Sequence, residues 1–541
     1  MLCEGPFFLT ETASSSSRLA RSAGVTGAAT LTSRVLGLVR DQVLAAYFGA
    51  GNAMDAFNVA FKIPNLVRDL FAEGAMSAAF VPTFTRTLTT EGKARAWRLG
   101  SNVITAIAII TGLLVVLGMV FAEPLVRVLA GGFAEVPGKL ELTVFLTRIM
   151  LPFLTLVAVA AALMGMLNSL HRFFVPALSP AMFNVATIAC AVLLVPVMPR
   201  AALPGITAIA IGTILGGAAQ LATQWPVLRR EGFRFRPTLD LHDEGLRRVL
   251  MLMGPGTIGL AATQVNVFVN TVLATGEGTG AVSWLNFAFR LMYLPIGLFG
   301  VSIATATLPA VSRHAARADR PAIRGTVADG LSLMLMLNVP ATVGLAVLAV
   351  PIVQIIFERL AFTHADTLAT AAALQFYAIG LVGYSIVRIA SPVFYALDES
   401  RTPVTISMVS VLVNAALNVA LVRVMGYRGL ALGTSIAAMV NAGALLFLLR
   451  RRLGGIEERR VLVSLAKIAA ASMLMGAAAA LVDLELRRVF PGDALGAQAV
   501  RLAAAIGAAL GVLAAAAHLL HVHEFRQGVR LVMSRFARRR P

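Results

Sequence analysis

Apolar stretches of about twenty residues, the length a helix needs to cross bilayer hydrocarbon, follow one another along almost the whole chain. By that criterion about fourteen segments stand out. They centre near Leu38, Phe71, Ala108, Val157, Ala189, Ile214, Leu260, Gly297, Leu337, Ile379, Leu412, Ala438, Ala471 and Gly511. The expected fold class is therefore an all-α polytopic membrane protein. Composition agrees: 58% of the 541 residues are hydrophobic and 13% charged. A soluble domain carries about 25% charged residues.

Between Ser33 and Pro82 this apolar chain nevertheless holds Arg34, Arg40, Asp41, Asp55, Lys62, Arg68, Asp69 and Glu73. Placing one such charge at mid-bilayer costs roughly 2.5–3.5 kcal/mol on insertion scales. Residues kept at that cost face a watery or protein-lined cavity, so the stretch reads as part of a polar pathway.

The formal charge of +19 is spread in a pattern. Arg86, Lys93, Arg95 and Arg98 fall in one expected loop, and Arg229, Arg230, Arg234, Arg236, Arg247 and Arg248 in another. Arg313, Arg317, Arg320 and Arg324 follow, then Arg450, Arg451, Arg452, Arg459 and Arg460, then the tail from Arg526 to Arg540. Alternate loops hold only scattered cations such as Lys139, Arg200, Arg359, Arg428 and Arg487. Cytoplasmic loops are enriched in Lys and Arg, so both termini are expected in the cytoplasm, with an even number of helices. The basic rim also suits contact with anionic membrane lipids. Nucleic acid is not an expected partner, because no loop is long enough to build a basic soluble domain. Residues 1–23 lack the basic start and apolar core of a secretory signal and are expected to form a disordered cytoplasmic tail. Cys3 and Cys190 have no metal or disulfide spacing.

An internal repeat organises the rest. At a spacing of 228 residues Asn58, Ala60, Phe61 and Lys62 recur as Asn286, Ala288, Phe289 and Arg290, and Leu70–Phe71 as Leu298–Phe299. A second echo joins Gly212–Thr213 and Leu228–Arg229–Arg230 to Gly433–Thr434 and Leu449–Arg450–Arg451. These matches predict two parallel six-helix lobes, residues 24–231 and 232–454. Residues 455–541 then form an appended helix pair and a basic tail. Such repeats are one plan of secondary transporters, whose substrate sites lie at the repeat interface and use bent or broken helices. Pro64 and Gly74 predict bends in the second helix.

Helical spacing arranges the charges. Arg34 and Asp41 share a face, with Arg40 on the flank, while Asp55, Lys62 and Asp69 form a stripe of alternating sign. That stripe is expected to pair internally in part, leaving Arg68, outside it, to reach a ligand. Arg290 stands alone in its helix between Asn286 and Tyr293. Lys62, Asn65 and the run Gln264, Asn266 and Asn270 are candidate cavity-lining residues, although interhelical hydrogen bonding explains the run as well.

Other chemistry is thin. His518, His521 and His523 sit at a helix end beside Glu524 and read as interfacial residues. Gly254–Pro255–Gly256 reads as a helix kink, and no phosphate-loop motif is present. No metal, cofactor or catalytic residue is expected, and the chain is not expected to be an enzyme.

The run Ser33–Arg34–Val35–Leu36–Gly37, then Arg40–Asp41, Phe48–Gly49–Ala50–Gly51 and Asp55–Ala56–Phe57, resembles the opening of the MurJ/MviN family. It continues with Phe61–Lys62–Ile63–Pro64–Asn65 and Phe71–Ala72–Glu73–Gly74–Ala75. Met253–Gly254–Pro255, Arg290–Leu291–Met292 and Arg401–Thr402–Pro403 fit as well, so the resemblance covers essentially everything after Gly24. It implies a lipid II flippase of the multidrug/oligosaccharidyl-lipid/polysaccharide exporter superfamily in the bacterial inner membrane. The expected activity is alternating-access transfer of the peptidoglycan precursor to the outer leaflet, with cell-wall synthesis and division proteins as expected partners. It also implies that the two extra helices form a groove for the polyprenyl tail. By the same resemblance Arg34, Arg40, Arg68, Arg290 and Asp55 are the substrate-binding residues. Guanidinium forks suit a pyrophosphate.

Two departures qualify it. Phe289 and Tyr293 flank Arg290 where some relatives have acidic residues. Asn414, Asn418 and Thr434 stand where some members bind sodium with carboxylates, which puts sodium coupling in question and leaves membrane potential or protons as drives. Another polyprenyl-linked polysaccharide flippase, a cation-coupled exporter or a non-transporting scaffold for cell-wall synthesis are the alternatives.

Overall fold

A computed structural model describes residues 8–69, 76–297, 301–492 and 494–526, and among these residues the regular structure is entirely helical. The first half contains α1 (Phe8–Phe48), α2 (Asn52–Arg68), α3 (Met76–Thr90), α4 (Lys93–Val120), α5 (Ala122–Leu129), α6 (Lys139–Met150), α7 (Phe153–Ser169), α8 (Phe174–Leu194) and α9 (Thr207–Arg230). There follow α10 (Glu244–Thr275), α11 (Ala281–Pro295), α12 (Val301–Ala316), α13 (Arg320–Val347), α14 (Ala349–Phe357) and α15 (His364–Ala396). The chain then forms α16 (Arg401–Met425), α17 (Tyr427–Leu453), α18 (Glu458–Val489) and α19 (Leu495–Leu519).

Among the described residues, nine helical segments are long and apolar enough to cross a membrane by length and composition: α4, the α6–α7 run, α8, α13 and α15 through α19. The other five expected segments fall on α1, the α2–α3 pair, α9, α10 and the α11–α12 pair. Each carries charges, carboxamides or a break that lowers its apolar signal. The expected tail is helical from Phe8, as α1 extends back through Ser14–Ser17. Adding a residue to an existing helix costs far less than nucleating one.

Of the two expected bends, Pro64 lies within α2, which continues to Arg68. Gly74, like Phe71 and Glu73, falls outside the described residues. In the repeat partner, α11 ends at Pro295 and α12 begins at Val301. Lys62 and Arg290 both lie in the last two turns of their helices.

The chain forms two compact units, Met1–Gln264 and Val265–Pro541. The boundary lies inside α10, downstream of the expected 231/232. The reason is packing: Leu246, Val249 and Met253 of α10 share a core with Phe84, Leu99, Val103 and Met166. The helices expected as an appendage likewise belong to the second unit. Ile468 of α18 and Ala517 of α19 join the core of Val327, Leu331, Ile389 and Leu445.

The second echo of the repeat has a packing counterpart. A Cβ at Gly212 of α9 would meet Cys190 Cβ of α8 at 3.0 Å, and one at Gly433 of α17 would meet Asn418 of α16. Each glycine thus admits the preceding helix. Thr213 and Thr434 each donate to the carbonyl one turn back, Ile209 at 3.0 Å and Leu430 at 2.7 Å.

In the second unit the backbones of α15 and α17 approach closely. A Cβ at Gly383 would lie 2.7 Å from the Ala438 carbonyl carbon, and one at Gly380 would lie 2.9 Å from Ser435 Cα. Small residues let helix backbones meet where lipid supplies no hydrophobic drive. Gly383→Val should therefore cost about 1–3 kcal/mol or more through overpacking. The expected outcome is a lower melting temperature in detergent, while Gly507→Ala, with open space around it, melts like the parent. Equal melting of the two variants would refute this account.

Candidate functional site

In the first unit the deepest charge is Asp55, in the first turn of α2, where a helix dipole favours an acid. Its Oδ2 accepts a 2.8 Å hydrogen bond from Lys139 Nζ, and the two side chains are 0% and 1% exposed. Lys139 begins α6, directly after Gly138, whose φ of +77° is the left-handed conformation that glycine adopts freely. Its ammonium also lies 4.1 Å from the Phe133 ring centre. The resemblance implied a substrate contact at Asp55, and the charge pattern placed Lys139 as a scattered outer-loop cation. The structure closes the two together into a buried ion pair joining α2 to α6.

The cavity arginines divide. Arg40, 14% exposed at its side chain, bonds Asp41 Oδ1 through Nε (3.2 Å) and Nη2 (2.9 Å). Its guanidinium also sits 5.7 Å from the Phe183 ring centre. Phe183 belongs to an aromatic cluster with Phe61 and Phe153. Arg68 bonds Asp69 Oδ1 in the same two-nitrogen manner, at 3.1 and 2.8 Å. This corrects the expectation that Arg68 stands apart from the acidic stripe. Arg34, half-buried on α1, has no ion-pair or hydrogen-bond partner among the described residues.

Within the seven-residue stripe Asp55 reaches Lys139 of α6, and Asp69 pairs with its neighbour Arg68. Asp69 Oδ2 also lies 3.4 Å from Asn65 Nδ2 and 3.5 Å from Gln264 Nε2, which brings those two carboxamides together with Arg68. Lys62 is half-buried on α2.

In the second unit Arg290 Nε donates to Asn286 Oδ1 at 2.9 Å, one turn earlier on α11. Tyr293, the next turn on, stacks on Phe289 with ring centres 5.8 Å apart. Its hydroxyl accepts a hydrogen bond from Arg388 of α15. The Arg388 guanidinium also lies 5.9 Å from the Tyr293 ring centre. Arg388 escaped the sequence reading. The available signal was plain: it is the sole charge between Leu374 and Ala396.

Asn266 Oδ1 is buried without a hydrogen-bond partner. Asn270 joins a different group. Asn418 Nδ2 donates to Asn414 Oδ1 at 3.0 Å and to Asn270 Oδ1. Asn418 Oδ1 and Asn414 Nδ2 have no partner. Asn414 is 1% and Asn418 0% exposed, and the Thr434 hydroxyl is engaged with its own helix. No carboxylate enters this cluster among the described residues, and none of them forms a group of three His, Cys, Asp or Glu side chains able to hold a metal.

Removing one partner of a buried ion pair strands the other, at a cost of about 3–5 kcal/mol. Lys139→Met is thus expected to lower membrane-inserted protein and its thermal stability sharply. Lys139→Met combined with Asp55→Leu should recover most of the loss, since apolar replacement of a whole pair is often neutral. A double variant no better than the single would refute the pairing.

Comparison with known proteins gives a concordant picture. A family model described as "Lipid II flippase MurJ" matches residues 44–492. The "Probable lipid II flippase MurJ" of Vibrio cholerae is 34% identical over 437 residues, 80% of this chain and 82% of that protein. The "Lipid II flippase MurJ" of Burkholderia cenocepacia is 35% identical over 427 residues, 78% of this chain and 82% of its own. A solved structure described as "Lipid II flippase MurJ, inward closed conformation" superposes with a TM-score of 0.74 at 27% identity, covering 92% of this chain and 99% of that one. An inward-facing multidrug resistance transporter of the MATE family shares the fold alone, with a TM-score of 0.66 at 16% identity, over 81% of this chain and 99% of its own. The fold is thus the two-lobe helical fold of a multi-pass membrane protein, and the chain belongs to the lipid II flippase MurJ family.

Proposed function

We propose that this protein is a lipid II flippase, carrying the undecaprenyl-pyrophosphate-linked precursor from the cytoplasmic to the outer leaflet by alternating access. The observation that carries the reading is the family match over residues 44–492. It moves its substrate rather than transforming it. The inner membrane is the expected location, with both termini cytoplasmic as the arginine-rich loops require. Membrane lipids and proteins of cell-wall synthesis and division are its expected neighbours.

Each unit offers cations suited to the headgroup. Arg34 supplies a charge without a partner among the described residues, an arrangement that favours an anionic ligand. Arg40 and Arg68 are held by their adjacent aspartates, and the aromatic ring beside Arg40 keeps its guanidinium partly dehydrated. Arg290 and Arg388 provide the corresponding groups in the second unit. Asp55 serves the site indirectly, by fixing α2 on α6 through Lys139. A pyrophosphate reaching guanidinium forks gains charge-assisted, bidentate bonds.

Loss of one such contact costs about 1.5–3 kcal/mol, equivalent to transport slowed roughly ten- to hundredfold. Arg34→Ala, Arg40→Ala, Arg290→Ala and Arg388→Ala should each fail to support growth of flippase-depleted cells at native expression, with protein levels preserved. Arg→Lys should rescue only in part, since an ammonium keeps the charge but loses the fork. Normal growth of all four alanine variants would overturn the assignment. Transport of a different polyprenyl-linked saccharide, with none of lipid II, would overturn the substrate.

The Asn270, Asn414, Asn418 and Thr434 cluster supports transport without sodium. Carboxamides bring no negative charge to offset a cation buried in low dielectric. Replacing sodium by potassium should leave lipid II transport in proteoliposomes within about twofold, well under the 1.4 kcal/mol that a tenfold change represents. Strict sodium dependence would refute this.

A further inference from the structure

The His518–Glu524 segment, which the transport reading leaves unused, forms one wall of a cavity of about 660 Å³ in the second unit. Its other wall is the start of α18. Arg460, Ser464 and Lys467 line it at helical spacings of four and three, which put them on one face. The α19 wall is built by a helix terminus. Val522 N–H bonds the Ala517 carbonyl at 2.9 Å and His521 N–H bonds that of His518 at 3.1 Å, with His521 at φ +56°. This is a Schellman-type ending. It turns the chain so that Glu524 enters the cavity.

Among the described residues, two atoms there lack partners. Glu524 is 8% exposed and its Oε2 makes no hydrogen bond; Ser464 is also 8% exposed and its hydroxyl is likewise unsatisfied. Buried polar groups of this kind call for a ligand or water. The other charges sort into used and unused. Arg460 pairs with Glu457 at 2.9 Å and with Asp329, and Glu458 with Arg450 at 2.8 Å. Arg459 and Lys467 make no ion pair or hydrogen bond among the described residues. The unengaged set is therefore one carboxylate oxygen, one hydroxyl, one guanidinium and one ammonium.

That set has both signs, and so must the ligand. Exposed Val463 (48%) lines the pocket, and exposed Leu462 (61%) and Leu519 (75%) lie beside its lining residues in the chain, so the polar pocket opens next to apolar surface. A headgroup with acyl chains attached fits such a border; a free metabolite has no use for it. We propose that this cavity is a phospholipid site selective for a headgroup joining a phosphodiester to a primary ammonium, as in phosphatidylethanolamine. The ammonium donates to Glu524 Oε2, and the phosphodiester lies against Lys467 and Arg459. The Ser464 hydroxyl donates to a phosphodiester oxygen. This site is separate from the arginines assigned to transport and stands independently of the substrate reading.

The test uses the purified full-length protein in detergent, titrated with single lipids and read by native mass spectrometry and by thermal stabilisation. Phosphatidylethanolamine should bind at least fivefold more tightly than phosphatidylcholine, which keeps the phosphodiester but has no N–H, and more tightly than phosphatidylglycerol. Glu524→Leu should erase the preference over phosphatidylcholine, and Lys467→Leu should weaken all three lipids. Equal binding of the three by the parent protein would overturn the proposal, a readout needing no variant to fold. Preference for phosphatidylglycerol, or selectivity surviving in Glu524→Leu, would overturn it too. Soluble glycerophosphoethanolamine binding as tightly as the lipid would overturn the assignment to a lipid.

Discussion

A charge inside an apolar helical bundle must find a partner, because neither lipid nor a packed core can replace its water. Much of the polar architecture here follows from that requirement. Arg40 and Arg68 meet it with the aspartates next to them in the chain. Lys139 and Asp55 meet it by burying each other completely, with the Phe133 ring closing over the ammonium. Arg388 meets it with the hydroxyl and ring of Tyr293. These solutions differ in what they hold together. A pair between adjacent residues neutralises charge without tying helices to one another, whereas Asp55–Lys139 clamps α2 to α6 and Arg388–Tyr293 joins α15 to α11. Arg34 has no such partner among the described residues.

The ends of two helices add uncharged partners. Asn65 and Gln264 join Arg68 and Asp69 at the end of α2. Near the end of α11, Asn286 accepts a hydrogen bond from Arg290. Carboxamides extend the hydrogen bonding of a charge without adding a second charge to be desolvated.

The final helix pair illustrates how one element can serve two environments. α18 and α19 give Ile468 and Ala517 to the second unit's core and pack Met475 and Ala505 against Leu348. They leave Leu462, Met473, Leu510 and Leu519 exposed. An alanine-rich interface permits the close packing, and the bulky residues face outward, the arrangement expected where lipid is the solvent.

Much of this was legible in the sequence because it depends on properties local to one helix. Apolar length told of an all-helical membrane protein, and charges set among apolar residues marked Arg34, Arg40 and Arg68 as candidates. The Gly-Thr echo at 212–213 and 433–434 pointed to helices that prove to be packed alike. Other features depend on which helix faces which. That Asp55 binds Lys139, eighty-four residues away, is decided by α6 lying against α2. That Leu246 and Val249 pull the start of α10 into the first unit is decided by the core they fill. Arg388 could have been found as the sole charge between Leu374 and Ala396, but its partner could not. Spacing along a helix specifies which face a side chain takes, and only the packed bundle determines what that face meets.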